Sequence, residues 1–266
     1  MKYGELKWTE VQRMDKSRRV VVLPLASLEQ HGHHLPLLTD TLIGAEIARR
    51  VEEALPETVL LTPTQWLGAS HHHMTFPGTL SLPTDMYIDV VCTLCECILK
   101  AGFPRIFLLL SHGGNDVPCQ EVLHRMAIRH RDRDDFWIAA AGYWAVADDA
   151  LQIPEMTTAR PTHACEYETS MILSIREDLV DLPAARGETM RLESKFYFPD
   201  MTTRRGNKVH FALPFEQMTG TGAIGRPDLG TAEKGEKLYA AVAARVVEFL
   251  REFADWPRPR RESSHA

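Results

Sequence analysis

No apolar run in this sequence approaches a membrane span. Stretches such as VVVLPLA and IFLLL fall far short of the roughly 20 residues that a helix needs to cross a bilayer. The opening stretch MKYGELKWTEVQRMDKSRR carries charges throughout and has no apolar segment of the kind a secretory signal requires. An excess of one charge is also lacking: 30 Lys and Arg stand against 36 Asp and Glu, a formal net charge of -6 at pH 7. With the two signs mixed along the chain, neither a nucleic acid nor an anionic membrane is an expected partner. An odd number of cysteines, Cys92, Cys95, Cys97, Cys119 and Cys165, with no export signal ahead of them, argues against a disulfide framework. Reduced thiols and a cytoplasmic location are therefore expected. The cluster CTLCEC has no second Cys or His pair at zinc-finger spacing. It sits in VVCTLCECILKAGF, which reads as an amphipathic helix with Cys92 and Cys95 on one face, so these thiols are expected in the core.

Repeats, low-complexity blocks and inter-domain linkers are absent too. Residues 1–256 are expected to form one domain and the polar stretch PRPRRESSHA, 257–266, a tail. What is present is an ordinary globular balance, 44% hydrophobic and 25% charged in 266 residues, enough to bury a sizeable core. Four short aliphatic runs, RVVVLPLA, TVLLTP, RIFLLLS and FWIAAAGY, read as buried strands. Helical patterns lie between and after them: DTLIGAEIARRVEEAL, PTDMYIDVVCTLCECILKAG, PCQEVLHRMAIRHR, CEYETSMILSIREDL and TAEKGEKLYAAVAARVVEFLREFA. Strands alternating with helices imply parallel pairing, hence an α/β layered domain. From about Gly187 to Asp228 the chain is rich in Thr, Gly, Arg and Pro without a period; such a segment is expected to cover or line a site.

The densest chemistry follows the first run, in SLEQHGHHLPLLTD. Glu29 and His31 are two residues apart, so in extended backbone both side chains point the same way. Asp40 lies where a turn gives way to the next helix. The third strand ends in LLLSHGGND and brings His112 to the same sheet edge, where ligand sites of open α/β sheets gather. This mixed nitrogen and oxygen donor set suits Zn, Mn or Fe and does not resemble a thiolate zinc knot. A lone histidine at a strand end is more often a cap or core residue, but Glu29, His31, Asp40, His112, His163 and Glu166 together make an accidental cluster harder to sustain.

In order along the chain, SLEQHGHHLPLLTD, GASHHHMTFPGTLSL, GFPRIFLLLSHGGND, HACEYETSMIL and GAIGRPDLGTAEKGE resemble the creatininase (creatinine amidohydrolase) family from about Val20 to Glu236. The resemblance implies a three-layer αβα sandwich with a mostly parallel central sheet, and commonly a hexamer built from dimers. It implies two divalent ions per chain, held by Glu29, His31, Asp40 and His112, with Asp40 bridging. The sequence departs from the family's namesake enzyme where a tyrosine and a metal-binding glutamate follow the third-motif histidine. Gly113 and Gly114 stand there instead, as in the HGGN-type branch, whose members act on several substrates. Glu166, three residues after His163, is the expected replacement ligand, and Glu168 the expected orienter of other groups.

Two metals that share a carboxylate can hold a bridging water, lower its pKa and aim it at a carbonyl carbon. His163 is the expected proton donor to the departing nitrogen, since imidazole titrates near neutrality and the resemblance places it beside the substrate. The resemblance also suggests Ser70, His73 and Trp144 as substrate contacts; the alternatives are a turn hydroxyl for Ser70 and a buried ring for Trp144. His71 and His72 read as surface residues. A Cys165–His163 nucleophile is disfavoured, because a thiolate there would face carboxylates. The expected activity is hydrolysis of a non-peptide C–N bond, a cyclic amide or formamide, in a small polar molecule. Rival readings are a hydrolase opening an oxidised sugar or inositol ring, a peptide-trimming metallopeptidase, and a metal-containing binding protein without catalysis.

Overall fold

A computed structural model describes residues 1–198, 207–209 and 212–257. Four strands, β1 (Val20–Leu25), β2 (Val59–Leu61), β3 (Arg105–Leu110) and β4 (Trp137–Gly142), form one sheet in the order β2-β1-β3-β4. Every pairing is parallel, with Val20 opposite Val59, Leu25 opposite Leu110 and Leu110 opposite Gly142. The described helices are α1 (Trp8–Arg13), α2 (Thr39–Ala54), α3 (Thr84–Lys100), α4 (Asp116–Arg129), α5 (Tyr143–Val146), α6 (Glu166–Arg176), α7 (Phe215–Met218) and α8 (Ala232–Ala254).

The strands are apolar along their whole length because both faces of the sheet are covered. Val20 and Val22 of β1, with Phe107 and Leu109 of β3, pack against α2, α6 and α8 through Ile43, Met171 and Leu238. The alternate residues Val21, Leu23, Ile106 and Leu108 pack against α3 and α4 through Val91, Cys95 and Val122. This two-residue alternation makes three layers, αβα. Cys92 and Cys95 are buried in the second cluster, as free thiols inside an amphipathic helix should be, while Cys97 on its other face is exposed. No helix among the described residues is long and apolar enough to cross a membrane.

Two features of this packing bear on the site. The chain runs from β1 through α2 to β2 on one side, then places β3 on the other side of β1. The carboxyl ends of β1 and β3 therefore flank the crevice where the strand order reverses, the position at which open α/β sheets bind ligands. On the first face, α6 is held close to α8 at Gly235, where a Cβ would collide with the Ser170 carbonyl. Helix α6 is thus fixed in depth against the long last helix, and its first turn is aimed at the same crevice.

Candidate metal centre

Beyond β1, the chain passes through Ser27 and Leu28 before delivering Glu29 and His31, both almost completely buried. Asp40 enters from the first turn of α2, and His112 from the residue that caps the short turn after β3. The three segments converge. Asp40 Oδ2 lies 3.1 Å from His112 Nδ1, and Glu29 Oε1 lies 3.2 Å from the same nitrogen. The other oxygen, Asp40 Oδ1, faces His31 Nε2 at 3.2 Å. Asp40 is thus shared between two imidazoles on its two sides. Ser27 Oγ steadies it with a hydrogen bond of 2.6 Å to Oδ2.

Behind the rings are backbone carbonyls. His31 Nδ1 is 3.1 Å from the Glu29 oxygen, and His112 Nε2 is 3.3 Å from the Ala69 oxygen. Each ring donates rearward and turns its other nitrogen toward the carboxylates, the arrangement that orients metal-bound histidines. A lone pair and a carboxylate oxygen facing each other at this distance need a cation between them, either a proton or a metal. Without a metal ion, the demand is met by protons. Burial pulls the His31 imidazole down, but Asp40 outweighs it and raises the group to about 9. His112 is raised well above the usual imidazole range, again against burial, by Glu29 and Asp40. Burial works to raise Glu29, and His112 overrides it to bring the carboxyl down to about 2.

Glu168, not Glu166, lies beside this cluster. Its carboxylate joins His31 and His163 in a group whose ligand atoms all lie within 4.8 Å of one another. Its Oε2 also accepts from the Ala164 amide at 2.5 Å. Burial pushes this carboxyl up to about 7, the behaviour of an acid short of a counter-charge. Glu166, expected to be the added ligand, turns away. It accepts hydrogen bonds from the backbone amides of Thr157 and Thr158 at 3.1 and 2.8 Å, and from the Thr158 hydroxyl at 2.8 Å. Lys234 Nζ sits 2.7 Å from it. The reason is local. Ala164 has φ +50°, a left-handed conformation rare for a residue with a Cβ, and Cys165 caps the helix from extended backbone. The helix begins at Glu166 rather than near Ala164, which swings Glu168 to the crevice.

The other expected residues divide. His163 stands over the cluster, with Nδ1 3.7 Å from Glu29 Oε1. Burial first, and the neighbouring His31 second, push its imidazole down to about 3. His73 is buried with Nε2 3.3 Å from Glu29 Oε1, and it lines the cavity. Ser70, expected to touch substrate, is fully buried and lies 3.2 Å from His112 Nε2; it steadies the ring and does not line the cavity. His72 is exposed, as expected of a surface residue, and its ring stacks over His112 at 5.7 Å on the cavity wall. Trp144 forms part of the wall, with Phe215 and Met218 from the irregular segment. Gln30 and Phe215 had no signal in the sequence.

These residues fit a divalent cation. Glu29 Oε2 is buried and has no hydrogen-bond partner, which is costly for a carboxylate oxygen without a ligand. The 3.1–3.2 Å separations around His112 are slightly under the roughly 3.3–3.6 Å edge of a tetrahedron with about 2.0–2.2 Å bonds. Glu29 and Asp40 both approach His112, and ligand atoms also gather in Glu29, His31 and Asp40 and in His31, His163 and Glu168.

Comparison with known proteins agrees. The chain is 29% identical over 193 residues to a creatinine amidohydrolase of Pseudomonas putida, covering 67% of this chain and 73% of the relative. It is 29% identical over 271 residues to a mycofactocin precursor peptide peptidase of Mycobacterium tuberculosis, covering 96% and 93%. Among solved structures, a creatinine amidohydrolase (creatininase) superimposes with a TM-score of 0.76 at 24% identity, covering 95% of this chain and 97% of the other. Residues 4–250 match the family model of creatininase, creatinine amidohydrolase, and the chain belongs to that family.

Proposed function

We propose that this creatininase-family hydrolase holds two divalent ions, of Zn, Mn or Fe, and cleaves a non-peptide C–N bond in a small polar amide. The observation that carries the reading is Asp40, whose two oxygens face His112 on one side and His31 on the other. Glu29 and His112 would complete one ion's donors, and His31 and Glu168 the other's. When bound, such a pair activates a water molecule and polarises a carbonyl oxygen. Everything else is done by the chain. His163, neutral because it is buried, presents Nδ1 to the cavity, where it accepts a proton from the attacking water and returns it to the departing nitrogen. His73 and Ser70 hold Glu29 and His112 in place, so the donors need little reorganisation. The cavity of about 420 Å³ suits a small molecule. No Lys or Arg among the described residues lines it, so away from the ions a substrate carboxylate or phosphate finds no cationic side chain. Trp144 and Phe215 offer faces for a flat ring instead.

A second reading, trimming of a peptide, draws on the mycobacterial relative, which aligns over 96% of this chain, against 67% for the creatinine amidohydrolase. A screen of zinc- and manganese-loaded protein against lactams, formamides, keto-sugars and short peptides separates the two. Turnover of a lactam or formamide, abolished in His163→Ala, is the expected result. Turnover of peptides alone would favour the second reading, and no turnover with both ions bound would overturn the first.

A further inference from the structure

Gln30 lies between two donors in sequence, and its side chain is buried beneath the cluster. Two backbone groups of opposite sense orient its carboxamide. Oε1 accepts from the Gly32 amide at 2.9 Å, and Nε2 donates to the Gly222 carbonyl at 3.1 Å. A flipped amide would set oxygen against oxygen and N–H against N–H, so the orientation is determined. Gly222, at φ +78°, leaves the room for it, because a Cβ there would collide with Oε1.

The hydrogens can then be counted. Nε2 of Gln30 carries two. One goes to Gly222 and the other to His73 Nδ1 at 2.9 Å. His73 Nδ1 is therefore an acceptor, and the ring proton sits on Nε2, where it faces Glu29 Oε1 at 3.3 Å. No hydrogen remains for His163 Nε2, which is 3.0 Å from the same amide nitrogen. That ring nitrogen is also 2.8 Å from the backbone oxygen of Gln30, which can only accept. His163 donates from Nε2, and its Nδ1 keeps a free lone pair toward the cavity.

We propose that Gln30 is a positioning residue that fixes the tautomers of His73 and His163 from one place in the chain. Its side chain makes His73 a donor to Glu29, and its backbone carbonyl makes His163 an acceptor toward the reacting atoms. With the opposite tautomers, His73 would turn a lone pair on the Glu29 carboxylate, and His163 would meet the incoming proton with an N–H. The importance of the His163 tautomer rests on the function proposed above; the assignment of the tautomers does not.

Long-range 1H–15N correlation spectra of histidine-labelled, zinc-loaded protein test the assignment, with His73→Gln and His163→Gln used to identify each ring. Both rings are expected to carry the proton on Nε2. Gln30→Met keeps the length but has no donor; it should retain two zinc ions, give His73 a mixture of tautomers and leave His163 unchanged. On a turned-over substrate its kcat should fall about 10–100-fold with little change in KM. Gln30→Glu, an acceptor at the same place, should move the His73 proton to Nδ1. A wild-type spectrum with His73 protonated on Nδ1, or with His163 bare at Nε2, overturns the proposal even if no variant folds. So does a Gln30→Met spectrum in which His73 is unchanged. Native tautomers as assigned, together with no amide hydrolysis, would leave this inference standing and remove the functional reading.

Discussion

Replacing Asp40 with alanine should empty both cation positions together and reduce turnover by about a thousandfold or more. The expectation follows from the division of its carboxylate, Oδ1 toward His31 and Oδ2 toward His112. A residue serving one ion would leave the other in place. Ions that bind only the folded chain stabilise it by mass action, about 4 kcal/mol for one ion present at 1,000 times its dissociation constant. In a chain of this size such a loss lowers the melting temperature by roughly 10 °C. The metal-free wild type is the proper control: metal-free Asp40→Ala should melt below it, because Asp40 pairs with His31 and His112 there, and added metal should raise only the wild type. Metal content by elemental analysis and melting by calorimetry check both parts. One full equivalent of metal in the variant would reduce Asp40 to a residue of the first turn of α2.

The second large effect separates two glutamates that are neighbours in sequence and face different ways. Glu168→Gln should lose one ion of two and more than about a hundredfold in kcat/KM, while the folded chain keeps its stability when metal-free. Glu166→Gln should keep both ions and much of the activity but destabilise the fold by about 3 kcal/mol, because it breaks a buried pair with Lys234 at 2.7 Å. The Glu166 carboxyl is held below its usual range: burial acts to raise it, and the Lys234 ammonium and the Thr157 and Thr158 amides outweigh burial. Its stabilisation is therefore present above the ordinary carboxylate pKa and is lost as pH falls through the depressed value. The difference in stability between wild type and Glu166→Gln should shrink in acid. Metal titration and denaturant melts of the two variants decide the matter; the reverse outcome would return Glu166 to the centre.

The layers of this fold were legible because they are written in local periodicity. Alternate residues of β1 and β3 go to opposite faces, and helical patterns fall between strands, so parallel order follows from connection alone. Glu29 and His31 were legible as a pair because a spacing of two in extended chain shares a face. Glu168 was not, since its direction depends on where α6 begins. That start is set by one left-handed residue, Ala164, which no composition or period announces. A shift of two residues turns a helix by about 200° and exchanges one glutamate for the other. Ser70 lies beside His112 Nε2, a contact between distant segments that no local pattern announces. The short 3-10 turn over His71–His73 buries His73 and leaves His71 and His72 exposed, in line with the sequence reading of the three. Gln30 was out of reach because the two groups to which its side chain donates, His73 and Gly222, lie 43 and 192 residues away. The irregular stretch near Gly187 to Asp228 does line the site where it is described, through Phe215 and Met218; residues 199–206 and 210–211 within it, and the tail from 258, lie outside the described residues.

Anomalous diffraction from crystals of manganese- or zinc-loaded protein, recorded at the absorption edge of the metal, tests the two-ion centre most directly. Two peaks per chain are predicted, one among Glu29, Asp40 and His112 and the other among His31, Asp40 and Glu168, with Asp40 common to both. A single peak at saturating metal, or a second peak held by Glu166, would contradict the account.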